Sequence, residues 1–203
     1  RKKLEKLVSM LPVNSKSNAL RKLTLRVLLS RAKVPGSETV NNKLSSLLIR
    51  RIRLLISMGY TKEAAELMSQ IPSEMFDDKM LRAEADALFM LNDNARVCSL
   101  VSSQVRKIDT SYWQKAFIFC QSLAGEAEKA ALGASLLRET GESDPIFFGL
   151  LNQISGLQKY EVKSLVDPEP LYFAMARVAK AELPDDVGFS NNPAILGTVA
   201  ISP

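Results

Sequence analysis

The sequence predicts an all-α protein of helical hairpins stacked as a right-handed superhelix, and three observations carry that prediction. A weak repeat runs through the chain with a period of 33 residues, marked by Gly59, Asn92 and Gly125. Ala64, Val97 and Ala130 stand five residues after the markers, and Ala65, Cys98 and Ala131 one further on. Apolar residues recur at helical spacing on both sides of each marker, and no strand-like alternation persists. The nine Gly and nine Pro sit mostly between the apolar runs, as in helical proteins. A two-helix unit of this length cannot bury its apolar face alone, so its neighbours must stack on it as a solenoid.

The elements follow in order. Residues 1–11 read as a short amphipathic helix with Leu4, Leu7, Val8 and Leu11 on one face. Ser17 or Asn18 caps a second helix to about Lys33, with Leu20, Leu23, Val27 and Leu28 inward and Lys22, Arg26 and Lys33 outward. Val34-Pro35-Gly36-Ser37 ends it, and residues 39–58 form a longer helix. Thr61 caps a helix from Lys62 to Gln70, which Pro72 and Ser73 end. Asp77 or Asp78 opens a helix through Leu91, Asn92-Asp93-Asn94 turns the chain, and a helix runs from Ala95 to Lys107. Thr110 caps the next helix through Ala124, Glu126 to Thr140 follows, and Gly141 stops it. Ser143-Asp144-Pro145 and Asp167-Pro168 open two more helices, the second covering about Glu169 to Leu183. The organisation expected is therefore a basic N-terminal pair of helices (1–38), a repeat domain (39–183) and a loop beginning a truncated continuation (184–203). The repeat units are about 44–76, 77–109, 110–142 and 143–183.

Charge divides the chain. Residues 1–55 hold 14 Lys and Arg against Glu5 and Glu38, a net of +12, whereas residues 56–203 carry a net of −7. An imbalance of this kind fits a surface for nucleic acid or an anionic membrane, a basic end that docks on an acidic end of a partner or neighbouring copy, or a solvated helix face. The basic part has no aromatic residue before Tyr60, so it lacks the stacking platforms of single-strand binders. The absence of histidine excludes His-based triads, His-containing zinc sites and histidine pH switches. Cys98 and Cys120 fall on helices expected to be neighbours, where a bridge is open to them and buried apolar packing is the commoner use. No apolar run of about 18 residues suits a membrane span.

Met58-Gly59-Tyr60-Thr61-Lys62-Glu63-Ala64-Ala65 and Ala124-Gly125-Glu126-Ala127-Glu128-Lys129-Ala130-Ala131 resemble tetratricopeptide repeats over residues 44–142. Both segments have that family's Gly-centred turn and its small residue where the second helix crosses the first. The family's mid-helix Leu-Gly pair is replaced by Arg51-Ile52, Glu84-Ala85 and Phe117-Ile118. The stretches at residues 81–85, 112–121 and 144–148 are also similar to alphaproteobacterial envelope proteins. That resemblance implies a bacterial, possibly exported and periplasmic, setting and no activity.

In tetratricopeptide arrays the first helices line a concave groove. Projected here, that geometry places Arg53, Lys79, Arg82, Phe89, Tyr112, Lys115 and Phe119 in the groove, with Ile49, Ile56, Asp86 and Ser122 beside them. The cations would bind carboxylates through charge-assisted hydrogen bonds, and the aromatics would anchor apolar side chains. Trp113 reads as a packing residue. No Gly-rich phosphate loop or Gly-flanked nucleophilic serine is present, and Asp77-Asp78 and Asp185-Asp186 read as helix-boundary residues. The leading expectation is a non-catalytic scaffold that binds a protein or peptide, with no cofactor and no metal. The alternatives are anionic-surface binding through the basic N-terminal quarter and a helical accessory domain of a larger enzyme.

Overall fold

The computed structural model describes residues 6–8, 10–12, 15, 17–30, 39–40, 43–44, 46–72, 75–165 and 168–189. Among these the chain is helical apart from a minimal hairpin. The elements are α1 (Asn18–Leu29), strands β1 (Thr39–Val40) and β2 (Lys43–Leu44), α2 (Ser46–Ser57), α3 (Thr61–Ser69), α4 (Asp78–Met90) and α5 (Asn94–Gln104). Then come α6 (Ser111–Leu123), α7 (Ala127–Glu139), α8 (Pro145–Ile154), α9 (Pro170–Ala179) and a 3-10 turn at Asp185–Phe189. Each of α2 through α6 packs on the helix that follows it, whereas α9 returns to lie against both α4 and α8.

The three turn markers share one backbone solution. Gly59, Asn92 and Gly125 adopt φ of 82°, 57° and 76°. The next residue then donates its N–H back to the preceding helix: Tyr60 to Leu55, Asp93 to Leu88 and Glu126 to Gln121. This is the Schellman arrangement, which satisfies carbonyls that a helix end leaves open. Ala64, Val97 and Ala130 are buried where the second helices cross the first, and Leu48, Ile52, Leu55, Leu81, Ala85 and Leu88 face inward. Asp77 and Asp144 cap α4 and α8 through their carboxylates, as their sequence positions imply.

Five expectations are corrected. The helix expected from residue 39 begins at Ser46, because the β-branched pair Thr39-Val40 instead joins Lys43-Leu44 as an antiparallel hairpin. Thr61 is a buried first residue of α3, and Tyr60 holds the cap position without a side-chain bond. Leu20, Leu23 and Val27 of α1 point outward; Thr24 and Leu28 are the buried pair. The rotation of α1 is set by polar ties rather than by its apolar stripe. Arg21 donates to the Met58 carbonyl at 3.0 Å, and Arg51 of α2 donates to the Leu28 and Ser30 carbonyls at 2.6 and 2.9 Å. Finally, Cys98 and Cys120 form a disulfide between α5 and α6, with Cα atoms 5.5 Å apart. Closing a loop of this length contributes about 3 kcal/mol in the chain-entropy account. The second helix also ends early, at Leu29 with Ser30 as its cap rather than near Lys33; the turn read at residues 34–37 and the tail beyond residue 189 lie outside the described residues.

The fourth unit departs from the other three. A tight turn follows α8 at Gly156, but α9 begins only at Pro170, and the connection between them buries Val162 and Leu165 in the core. Gln153 pins this loop: its side chain accepts the Tyr160 N–H at 2.8 Å and donates to the Ala179 carbonyl at 2.9 Å. The Tyr160 ring lies on Gly149, where an added Cβ would fall 2.4 Å from a ring carbon. Helix propensity alone favours Gly149→Ala by about 1 kcal/mol. The steric cost of displacing the ring outweighs it, so a net loss of about 1–2 kcal/mol is expected in chemical denaturation. Unchanged or increased stability would show that the Tyr160 contact is not part of the packing.

Candidate functional site

Helix α9 positions the most elaborate polar cluster in the described structure. Lys79 and Arg82 come from α4, Tyr112 and Lys115 from α6, and Glu169 and Tyr172 from the start of α9. Together they line a cleft of about 420 Å³ with Asp78, Thr110, Ser111 and Trp113. Arg82 donates to the Glu169 carboxylate at 2.5 Å, and its guanidinium stacks 4.2 Å from the Tyr112 ring centre. The Tyr112 hydroxyl donates to Asp86 at 2.7 Å. Lys115 is buried and donates to Asp144 at 2.7 Å, with Glu142 at 3.3 Å. Tyr172 donates to the same Asp144 oxygen as Lys115, and Ser111 donates to Glu142 at 2.5 Å.

Burial sets the proton affinities. It pushes the Asp86 carboxyl up to about 6, against the opposing effects of Tyr112 and Arg82. Burial also raises Tyr112 and Tyr172, each further held protonated by its carboxylate partner. For Asp144 burial acts upward, but the bonds from Lys115, the Phe147 N–H and Tyr172 prevail and hold the carboxyl below its ordinary value. Glu142 is lowered by Ser111 first and by Lys115 next.

The sequence-derived set divides three ways. Lys79, Arg82, Tyr112 and Lys115 are brought to one cleft. Phe89 and Phe119 lie beneath, fully buried with ring centres 6.0 Å apart, so in this conformation they are core groups rather than contact anchors. Phe89 lies on α4, the helix that α9 packs against, and Phe119 on α6 meets it in the core. Arg53 is exposed on α2 and does not line the cleft. Trp113 is a packing residue as expected, edge-on to Tyr112. Sequence reading missed Glu142, Glu169 and Tyr172 altogether, and saw Asp144 only as a cap. Asp144 does both tasks: one oxygen accepts the Ile146 and Phe147 N–H groups, the other takes Lys115 and Tyr172. No local pattern announces these pairs, since the partners stand 28 and 29 residues apart.

A second opening, about 390 Å³, is apolar and lies between α6 and α7, with Phe117, Ile118, Leu132 and Leu136 on its walls. Its signal in the sequence is the pair Leu132 and Leu136, one turn apart on an otherwise polar side of α7. Among the described residues no cluster of Cys, Asp and Glu has the geometry to hold a metal ion. Compared with protein-family models, curated proteins and solved structures, the chain finds no match.

Two predictions follow from this network. Lys115→Met leaves Asp144 and Glu142 without their cation, and a loss of about 3 kcal/mol is expected in denaturant titration; a loss below 1 kcal/mol would mean that the pair adds little. The second concerns Asp86, whose carboxyl binds its proton more tightly when folded than when unfolded. Stability from this group is full below the unfolded value near 3.8 and is lost as pH rises through about 6. Asp86→Asn keeps an acceptor for Tyr112 and should remove this slope, on the order of 2 kcal/mol between pH 4 and 7. Parallel pH–stability curves for the two proteins would contradict it.

Proposed function

We propose that the protein is a non-catalytic interaction scaffold whose hairpins stack as a right-handed, tetratricopeptide-like solenoid, and that its cleft holds a carboxylate-bearing segment of a partner protein. The observation that supports this most directly is the occupancy of the cleft by the chain's own residues. Glu169 and Tyr172 offer a carboxylate and an aromatic hydroxyl, and Arg82 and Asp144 receive them. A partner segment of the same chemistry would meet the unfilled remainder of the cleft at Lys79. That residue is exposed and forms no ion pair among the described residues. Charge-assisted bonds of this kind give orientation as well as energy. The recurrence of the same left-handed turn at 33-residue intervals supports the solenoid reading. The Cys98–Cys120 bridge suits an oxidising compartment, which agrees with the envelope setting that the sequence resemblance implies.

The remaining groups favour binding over chemistry. Asp86, Glu142 and Asp144 are each already engaged by a neighbouring hydroxyl or ammonium group of the chain.

Selection of a random peptide library on the full chain tests this reading. Enrichment of peptides that combine Asp or Glu with Tyr or Phe is expected. Lys79→Glu is the discriminating variant because it leaves the internal ties of α9 intact; it should weaken the selected peptides by about tenfold. Peptides without acidic preference, or equal binding to the variant, would contradict the proposal.

A further inference from the structure

The outward turn of α1 gives this protein a second surface, independent of the cleft. Leu20, Leu23 and Val27 stand at i, i+3 and i+7, so they form one stripe along the helix. The stripe is exposed, with Leu23 retaining 57% of its surface. Leu7 and Met10, in the segment before α1, are exposed at 63% and 70%. Large exposed apolar residues are therefore concentrated in the first 29 residues. Over the rest of the described chain only Leu91, Leu132, Leu136 and Leu157 join them.

The sequence of this region is one-sided in charge. Residues 1–29 carry eight Lys and Arg against the single acid Glu5, and no acid occurs between Glu5 and Glu38. Lys22 and Arg26 are exposed and share the side of α1 that adjoins the stripe. Arg50 and Arg53 are exposed on α2, the helix on which α1 rests. The stripe is held outward by Arg21 and Arg51, whose bonds to backbone carbonyls fix the helix rotation.

We propose that α1, with the exposed Leu7 and Met10 ahead of it, forms a peripheral contact for an anionic lipid bilayer. The leucine stripe enters the boundary between headgroups and acyl chains, and Lys22 and Arg26 meet lipid phosphates. Two features select this occupant. A duplex nucleic acid would use the cations but would leave the leucines exposed. A protein face would have to be both apolar and strongly acidic, whereas an anionic bilayer offers an apolar layer beneath a negative one by its nature. No described helix is long and apolar enough to cross a membrane, so the contact is one of lying on the surface. A 12-residue helix with three apolar contacts binds weakly alone, and the basic charge supplies the second attraction that such anchors need.

Co-sedimentation of the full chain with phosphatidylcholine vesicles, with and without 30% phosphatidylglycerol (about the anionic content of a charged leaflet), tests the proposal. Binding only to the anionic vesicles, weakened by salt, is expected. The triple variant Leu20→Ser, Leu23→Ser, Val27→Ser should partition more than about tenfold less, and Lys22→Glu with Arg26→Glu should do the same. All five positions are exposed, and circular dichroism of each variant establishes that the helices remain. Absence of binding to anionic vesicles overturns the proposal. So does binding that survives the serine variant, which would mark simple electrostatic attraction, shared with duplex DNA in a parallel assay. A concentration-dependent dimer in light scattering that the serine variant abolishes would assign the stripe to a second copy, and would overturn it too.

Discussion

Guanidinium groups placed on the open ends of other helices hold this structure in register. A helix leaves its last carbonyls without partners, and its dipole makes that end negative. Arg51 donates to the Leu28 and Ser30 carbonyls at the end of α1, and Arg21 donates to Met58 just past the end of α2. Arg177 of α9 donates to Phe89 and Met90 at the end of α4. Each bond adds a donor at a helix end and fixes the rotation of one helix against another. Apolar contact alone would leave those rotations less sharply defined, because a leucine stripe is wider than the contact it makes.

The consequences run in opposite directions at the two ends of the chain. In the C-terminal half, Arg177 and the Arg82–Glu169 pair tie α9 onto α4, the helix that carries the buried Phe89. Arg82 of α4 and Lys115 of α6 then find carboxylates within the same chain. Near the N-terminus, Arg21 and Arg51 fix α1 so that its leucines face solvent, and no acid of residues 6–37 offsets the surrounding cations. Arg82 and Lys115 are therefore paired within the chain, whereas Lys22 and Arg26 face outward.

The legibility of the candidate site follows from this arrangement. Lys79, Arg82, Tyr112 and Lys115 were accessible to sequence reading because each sits on a first helix at a position set by the 33-residue period. Glu142, Asp144, Glu169 and Tyr172 were not, because their meeting depends on how far the loop of residues 155–169 carries the chain. That loop breaks the period, and a periodic argument cannot be extended across it. Phe89 shows the same effect. Its register was read correctly, while its exposure depended on a helix some 80 residues later in the chain.

The sequence by itself determined the helical class, the positions of the three tight turns, the capping roles of Asp77 and Asp144 and the uneven charge. Each of these is decided within a few residues: a left-handed turn needs Gly or Asn, a cap needs a short acceptor, and charge is composition. Only the tertiary structure decided the rotation of α1, the closing of Cys98 on Cys120, and the folding of α9 over the face of α4. Those outcomes rest on bonds between residues 21 to 88 positions apart. Their energies depend on orientation in three dimensions, which no local periodicity encodes.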